Sequence, residues 1–412
     1  LNILTGATLP RVLSPLRQRS YALLWAGQTA SVLGDRVYAT ALPFLVFALG
    51  GAAGQLGTAF AFSLVPQVIF LLAGGVLTDR LPRRSVMLAC DMARALILMV
   101  IAAMLHFGVL RIPHVYAASA AFGFFSAFFH PAATGLLPEV VPSDRLVAAN
   151  ALRSLSIDLA GIFGPILGGV LSAGGIVALA LGFDSLTFVV SGLCLLAMGR
   201  MRPRQPREGR RRGGYRRDLV EGFRLVAASQ WLWVTIALFS LDNVFFAGSL
   251  QIALPLLAQQ ELGGARAFGY VLSSFAAGSL LTALALGQLG TPRRRGVLAY
   301  SGVLVSGVTL VLLSRATEVW HASLVAVVLG GSIVAFSLVW ESTLQDLIPH
   351  EALGRVASID LLGSISLMPV GLILAGVSVD RFGPGATILI GGFGSIVIGA
   401  AGLSLGSIRN LA

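Results

Sequence analysis

The sequence predicts an all-α integral membrane protein with twelve transmembrane helices in two six-helix halves. Three observations predict it. First, the 412 residues are 56% hydrophobic and 11% charged, with a mean hydropathy of +0.87. Soluble domains carry about 25% charged residues, and a water-facing surface cannot be built from so little charge. Second, the apolar residues fall in runs of about twenty or more, the length a helix needs to cross a bilayer. Third, one long polar stretch, Arg200–Arg217 (RMRPRQPREGRRRGGYRR), divides the chain near its midpoint.

The runs read in order as helices over 21–49, 55–79, 85–108, 113–137, 145–172 and 176–199, then 230–258, 266–290, 296–314, 318–347, 352–379 and 385–407. They are too long and too uniformly apolar for barrel strands, and an open sheet edge does not survive in lipid. Asp35 and Arg36 interrupt the first run. The second ends in GGVLTDRLPRR (74–84), and the third holds Asp91 and Arg94 one turn apart. The fourth contains His130 before Pro131, a polar group at a bend. The fifth holds Arg153, Asp158 and GIFGPILGG (161–169). Asp184, Asp242, Glu341 and Asp360 lie in the sixth, seventh, tenth and eleventh. Residues 200–229 read as a basic cytoplasmic linker between an N-terminal half, 1–199, and a C-terminal half, 230–412. Within the linker, 218–229 (DLVEGFRLVAAS) has the pattern of a short amphipathic helix lying on the inner leaflet.

Every cation of the +11 net charge is Arg, since the chain has no Lys. With a cytoplasmic N-terminus, 22 of the 29 Arg fall in inside segments and only Arg111, Arg266, Arg315 and Arg381 in outside loops. That asymmetry places both termini in the cytoplasm. The basic linker then serves topology and contact with anionic lipid, and no nucleic-acid partner is expected. The two cysteines, Cys90 and Cys194, lie in apolar runs and imply no disulfide framework. The five His are too scattered for a metal site. The first residues carry no cleavable signal-peptide pattern. No cofactor motif, nucleotide loop or catalytic triad is visible, so no enzymatic activity is expected.

The halves repeat. Leu137–Gly169 aligns with Leu344–Gly376 at a constant offset of 207, pairing Pro142 with Pro349, Gly164 with Gly371 and Gly169 with Gly376. PRR recurs at 82–84 and 292–294. An offset of half the chain is the mark of two six-helix halves related by a pseudo-twofold axis along the membrane normal.

GGVLTDRLPRR resembles the loop between helices 2 and 3 of the major facilitator superfamily of secondary transporters, roughly G-x-x-x-D-R-x-G-R-R. Pro82 stands where that family usually has Gly. GIFGPILGG resembles the family's antiporter motif at Gly161, Gly164, Pro165, Gly168 and Gly169. SVLGDRVYATALPFLV (31–46), FFHPAATGLLPEVVPSDRLVAANAL (128–152), EGFR (221–224) and TLQDLIPHEALGRVAS (343–358) extend the resemblance to the branch with macrolide efflux proteins and enterobactin exporters. The resemblance implies the major facilitator fold and a latch at the inner surface built by Gly75, Asp79, Arg80, Arg83 and Arg84, with Asp79 capping a helix of the other half. It also implies export by alternating access, driven by the proton motive force.

Intramembrane carboxylates are the sharpest physical signal, because a charge near the bilayer centre costs at least about 2.5 kcal/mol and faces a partner or a wet cavity. Asp91 with Arg94, near the inner surface, reads as a structural ion pair. Asp184 and Asp360, within a few turns of helix ends, read as structural or hydrated. Asp35 lies near mid-membrane and is the first candidate for a proton-coupling or substrate residue. Asp242, Glu341 and Asp158 are the others. Phe122, Phe124, Phe125, Phe128 and Phe129, with Phe239, Phe245 and Phe246, would suit bulky amphipathic ligands.

The expected function is therefore a proton-coupled antiporter exporting amphipathic small molecules such as drugs or siderophores. The alternatives are a lipid or lysolipid flippase on the same fold and a non-transporting membrane receptor. The expected partners are a small-molecule substrate, protons and membrane lipids. The expected state is a monomer in a bacterial cytoplasmic membrane.

Overall fold

The computed structural model describes residues 11–199, 215–289, 294–409 and 411. Among them the regular structure is entirely helical, and twelve helices are long and apolar enough to cross a membrane. The first six are α1 (Arg19–Ala48), α2 (Ala53–Arg80), α3 (Arg83–His106), α4 (Ile112–Val140), α5 (Leu146–Ser172) and α6 (Val177–Ala197). The short α7 covers Tyr215–Ala228. Six spans follow, built from α8 (Gln230–Gly248), α9 (Ala265–Leu289), α10 (Arg295–Leu313), α11 (Val319–Leu347), α12 (His350–Ile365), α13 (Met368–Phe382) and α14 (Pro384–Ser404). Residues 200–214 of the basic linker lie outside the described residues.

Two spans depart from the straight helices read from the sequence. The seventh extends past Gly248 through π-helical turns at Ser249–Ala253 and Ala258–Leu262, flanking a short α-helical piece at Leu254–Leu257. Pro255 sits in that piece. It has no N–H to give and its ring crowds the carbonyl four residues back, so the hydrogen-bond register slips there. The eleventh span breaks at Ser366–Leu367, where α12 gives way to α13. Pro369 explains it in the same terms, since it gives no N–H to the carbonyl of Ile365, the last residue of α12. Gly383, with φ +85°, is the single residue between α13 and α14. Only a residue without Cβ takes that backbone without strain, and Pro384 then starts the next helix with its φ already set.

The chain forms two compact units. One comprises Leu1–Leu42 and Phe62–Pro206, the other Pro43–Ala61 and Arg207–Ala412. In the first, Tyr21, Met87, Leu136 and Leu195 are fully buried in one cluster with Phe129 and Leu152. Burial from lipid yields no hydrophobic gain, because acyl chains are as apolar as Leu. Close packing over small residues holds such helices together instead. Gly164 of α5 faces α1 so closely that a Cβ there would stand 2.4 Å from Arg36 Cβ, and one at Gly168 would stand 2.8 Å from Thr40 Cβ. The second unit repeats the contact. A Cβ on Gly371 of α13, the repeat mate of Gly164, would stand 2.6 Å from Val244 Cα of α8, and one on Gly248 would stand 2.4 Å from Ala375 Cβ. The sequence repeat is thus the same helix pair built twice.

Ion pairs tie the helix ends within each unit. Arg83 Nη1 donates to Gly135 O and to Glu139 Oε1, both at 2.7 Å, joining α3 to α4. Arg295 pairs with Asp346 at 2.7 Å, joining α10 to α11. Glu139 and Asp346 are again 207 positions apart. Arg84 donates to the carbonyls of Leu195 (2.6 Å), Leu196 (3.0 Å) and Gly199 at the end of α6. Carbonyls at a helix end lack an N–H four residues on within the helix, and a cation there also opposes the negative end of the helix dipole. In the second unit, Arg355 of α12 donates to Glu221 of α7 at 2.6 Å. Val226 packs beside them with Leu232, Ile348 and Val356.

Candidate functional site

Helices α1, α3 and α6 bring charged side chains together inside the first unit. Arg94 Nη2 donates to Asp91 Oδ1 at 2.6 Å, and Ser191 of α6 donates to Asp91 Oδ2 at 2.7 Å. Asp91 is 0% and Arg94 2% exposed. The guanidinium carbon lies 4.1 Å from the ring centroid of Phe129, 4.4 Å from Phe188 and 5.7 Å from Phe122. The negative ring faces offset part of the cost of removing the cation from water. The sequence placed this pair near the inner surface. The structure sets it among three aromatic rings, about 12 Å along α3 at 1.5 Å per residue from Arg83.

Asp184 of α6 is also fully buried, and it is far less well satisfied. Thr187 Oγ1 is 2.7 Å from the Asp184 carbonyl and 3.1 Å from its Oδ1, so one hydroxyl proton serves two acceptors. Oδ2 has no hydrogen-bond partner. Gly34 of α1 lies directly over this carboxylate, where a Cβ would stand 2.2 Å from Oδ1. The next residue is the half-buried Asp35. Electrostatic interactions link Asp35 to Arg94 and Arg36, and Asp184 to Asp35, Arg94 and Asp91. Among the described residues neither Asp35 nor Asp184 has an ion-pair partner within 4.0 Å. Asp91 already takes up Arg94. Tyr38 stacks on Phe122 at 5.2 Å and closes the cluster on the α4 side.

Among the described residues of the second unit one acid is comparably buried. Asp242 of α8 is 2% exposed and accepts from Ser395 of α14 at 2.6 Å. It follows Asp35 by the same 207 positions that separate Gly164 from Gly371. An aromatic stack lies in the same unit. Phe239 and Phe336 are parallel at 4.7 Å, Phe336 and Trp340 at 6.3 Å, and Trp340 Nε1 donates to Asp360 at 3.1 Å. Glu341 and Asp158 are exposed. Within the first unit the structure thus groups Asp35 with Asp91, Arg94 and Asp184, while Asp242 and Glu341 belong to the second unit.

The sequence reads Asp184 as structural or hydrated, and what it does not display is that Gly34 of α1 lies over this carboxylate. In the antiporter-like motif, Gly164, Pro165, Gly168 and Gly169 are buried and Gly161 is half-buried, with Gly164 and Gly168 against α1. In the latch motif, Arg83 and Arg84 make the contacts given above. The surroundings of Gly75 and the side chains of Asp79 and Arg80 fall outside what is described. Cys90 and Cys194 are free thiols. Among the described residues no group of three or more His, Cys, Asp or Glu is placed to hold a metal ion.

Comparison with known proteins identifies the architecture. Residues 24–364 match the model of the Major Facilitator Superfamily. The chain belongs to that superfamily. It is accordingly a multi-pass membrane protein and a secondary transporter, and the superfamily consists of transporters and not enzymes. Full-length relatives are distant. Macrolide efflux protein A of Streptococcus pyogenes is 26% identical over 401 residues, covering 94% of this chain and 96% of the relative. Enterobactin exporter EntS of Salmonella typhimurium (strain LT2) is 26% identical over 385 residues, covering 92% and 90%. Among solved structures, nucleoside transporter NupG superposes with a TM-score of 0.73 at 12% identity, covering 93% and 98%. A POT family transporter bound to a thioalcohol-conjugated peptide gives 0.72 at 14%, covering 94% and 96%. At such identities the solved structures establish the superfamily fold and nothing of substrate.

Proposed function

We propose that this superfamily member is a proton-coupled exporter of amphipathic small molecules, working by alternating access from a bacterial cytoplasmic membrane. Two relatives named for efflux, each matched over nine-tenths or more of both chains, support export. The observation that carries proton coupling is the Asp35–Asp184 arrangement, in which two acids lie in one unit with Arg94, the one buried Arg among the described residues, which Asp91 already occupies.

Uncompensated intramembrane charge is expensive, so such carboxyls are suited to exchange a proton or a cationic group of the substrate. Only a site whose protonation differs between two states can link a gradient to alternating access. Asp35 is the coupling residue in this reading, Asp184 its companion, and Asp242 the corresponding acid of the second unit. Asp91 and Arg94 are a structural pair that fixes the cluster. In this reading the half-buried rings Phe122 and Tyr38, and in the second unit Phe239 and Trp340, supply apolar contacts for ring-bearing or lipophilic ligands. Gly75–Arg84 forms the inner latch, with both termini and the linker in the cytoplasm.

The test is proton release. Purified protein in weakly buffered detergent solution is mixed with a panel of macrolides, catecholate siderophores and lysolipids while pH is followed. The reading expects stoichiometric release with at least one amphipathic drug or siderophore and none from Asp35→Asn. Release with lysolipid alone would transfer the assignment to lipid transport.

A further inference from the structure

The end of α2 remote from Asp79 is held by one carboxylate. Asp380, near the end of α13, accepts the N–H of Ala53 on Oδ1 at 3.0 Å and that of Gly54 on Oδ2 at 2.9 Å. These are the first two residues of α2. First-turn N–H groups have no partner in their own helix, and the partial positive charge they create favours an anion. The surroundings are shaped to admit this contact. A Cβ on Gly57 would stand 2.4 Å from the carbonyl oxygen of Leu372, and one on Gly376 would stand 2.7 Å from that of Ala53 and from Gly54 Cα. Glycine on both helices is what lets the backbones meet.

The connectivity gives the contact its meaning. Residues Pro43–Ala61 pack in the second unit. They are nevertheless continuous with α1 and α2, whose remaining residues belong to the first. Phe44 lies against Phe268 of α9 at 5.8 Å. A switch in which side has access must therefore bend these helices or release this grip. Pro43 lies inside α1 at the boundary between the two units.

We propose that Asp380 is a releasable latch on the first turn of α2, closed in the state seen here and opened when access changes side. The proposal rests on the alternating-access reading but not on any substrate or on proton coupling. Asp380 acts on the position of α2 and touches no substrate.

The experiment measures conformation without transport. Spin labels are placed at Ala52→Cys and Phe382→Cys in a background where Cys90 and Cys194 are Ala, and distances are recorded on purified protein in nanodiscs. The parent should show mainly the short distance. Asp380→Ala, which removes both acceptors, should raise the long-distance population about fivefold, the scale of losing a helix cap, and Asp380→Glu should keep much of the short one. Gly376→Leu, which wedges the same helices apart without touching the carboxylate, should shift the distribution the same way. An unchanged distribution in Asp380→Ala overturns the latch, and so does a fall in melting temperature with the short distance retained. A shifted distribution in a protein that exports nothing leaves the latch standing and removes the export reading alone.

Discussion

At the residue scale, two buried carboxylates of one unit answer to different physics. Asp91 has both oxygens bonded and a cation beside it. Removing that cation strands a fully buried charge, which costs about 3–5 kcal/mol. Arg94→Ala should therefore lower the melting temperature of the purified protein sharply. Arg94→Lys should lower it less, since it keeps the charge and loses the planar fork stacked on Phe129 and Phe188. Asp184→Asn should behave oppositely, with stability changed by less than about 1 kcal/mol because Oδ2 gives up no partner. Its defect should appear in gradient-driven transport. The Asp91–Arg94 pair was legible from a spacing of three on one helix. The Asp184 environment was not, because it is made by Gly34 and Asp35 from a helix far away in sequence.

At the element scale, close helix pairs over glycine set the architecture. Gly164→Leu and Gly371→Leu should each destabilise the protein or reduce folded yield in size-exclusion profiles. A new side chain at either position would have to push two helix backbones apart. Similar losses at both positions would agree with one contact built twice. In the inner motif, Asp79→Asn should lower efflux without much loss of folded protein. Unchanged efflux together with unchanged cysteine-probe accessibility on the two membrane sides would contradict the latch role of Gly75–Arg84. The twelve spans were legible because apolar runs of bilayer length admit few other structures. The π-helical turns around Pro255 and the break before Pro369 were not. A proline removes one hydrogen bond, and the neighbouring helices decide whether the chain bends, slips register or breaks.

At the scale of the whole molecule, the Arg asymmetry and the repeat speak to the same architecture. Reporter fusions at residue 210 and at both termini should all give cytoplasmic signals, and a periplasmic signal at 210 would invert the topology. The superfamily was legible in the helix 2–3 motif, and the spacing of 207 carries through from the glycines to Asp35 and Asp242. Substrate was not legible, because many specificities share this fold and these motifs. The central claim is that a proton gradient drives export through Asp35. The direct measurement is accumulation of a labelled macrolide in everted proteoliposomes with an imposed acid interior. The wild-type protein should concentrate the label only while the gradient lasts. Asp35→Asn at equal incorporation should equilibrate and exchange the label without concentrating it, and Asp242→Asn should show the milder defect. Gradient-driven accumulation by Asp35→Asn at the wild-type level would contradict the account.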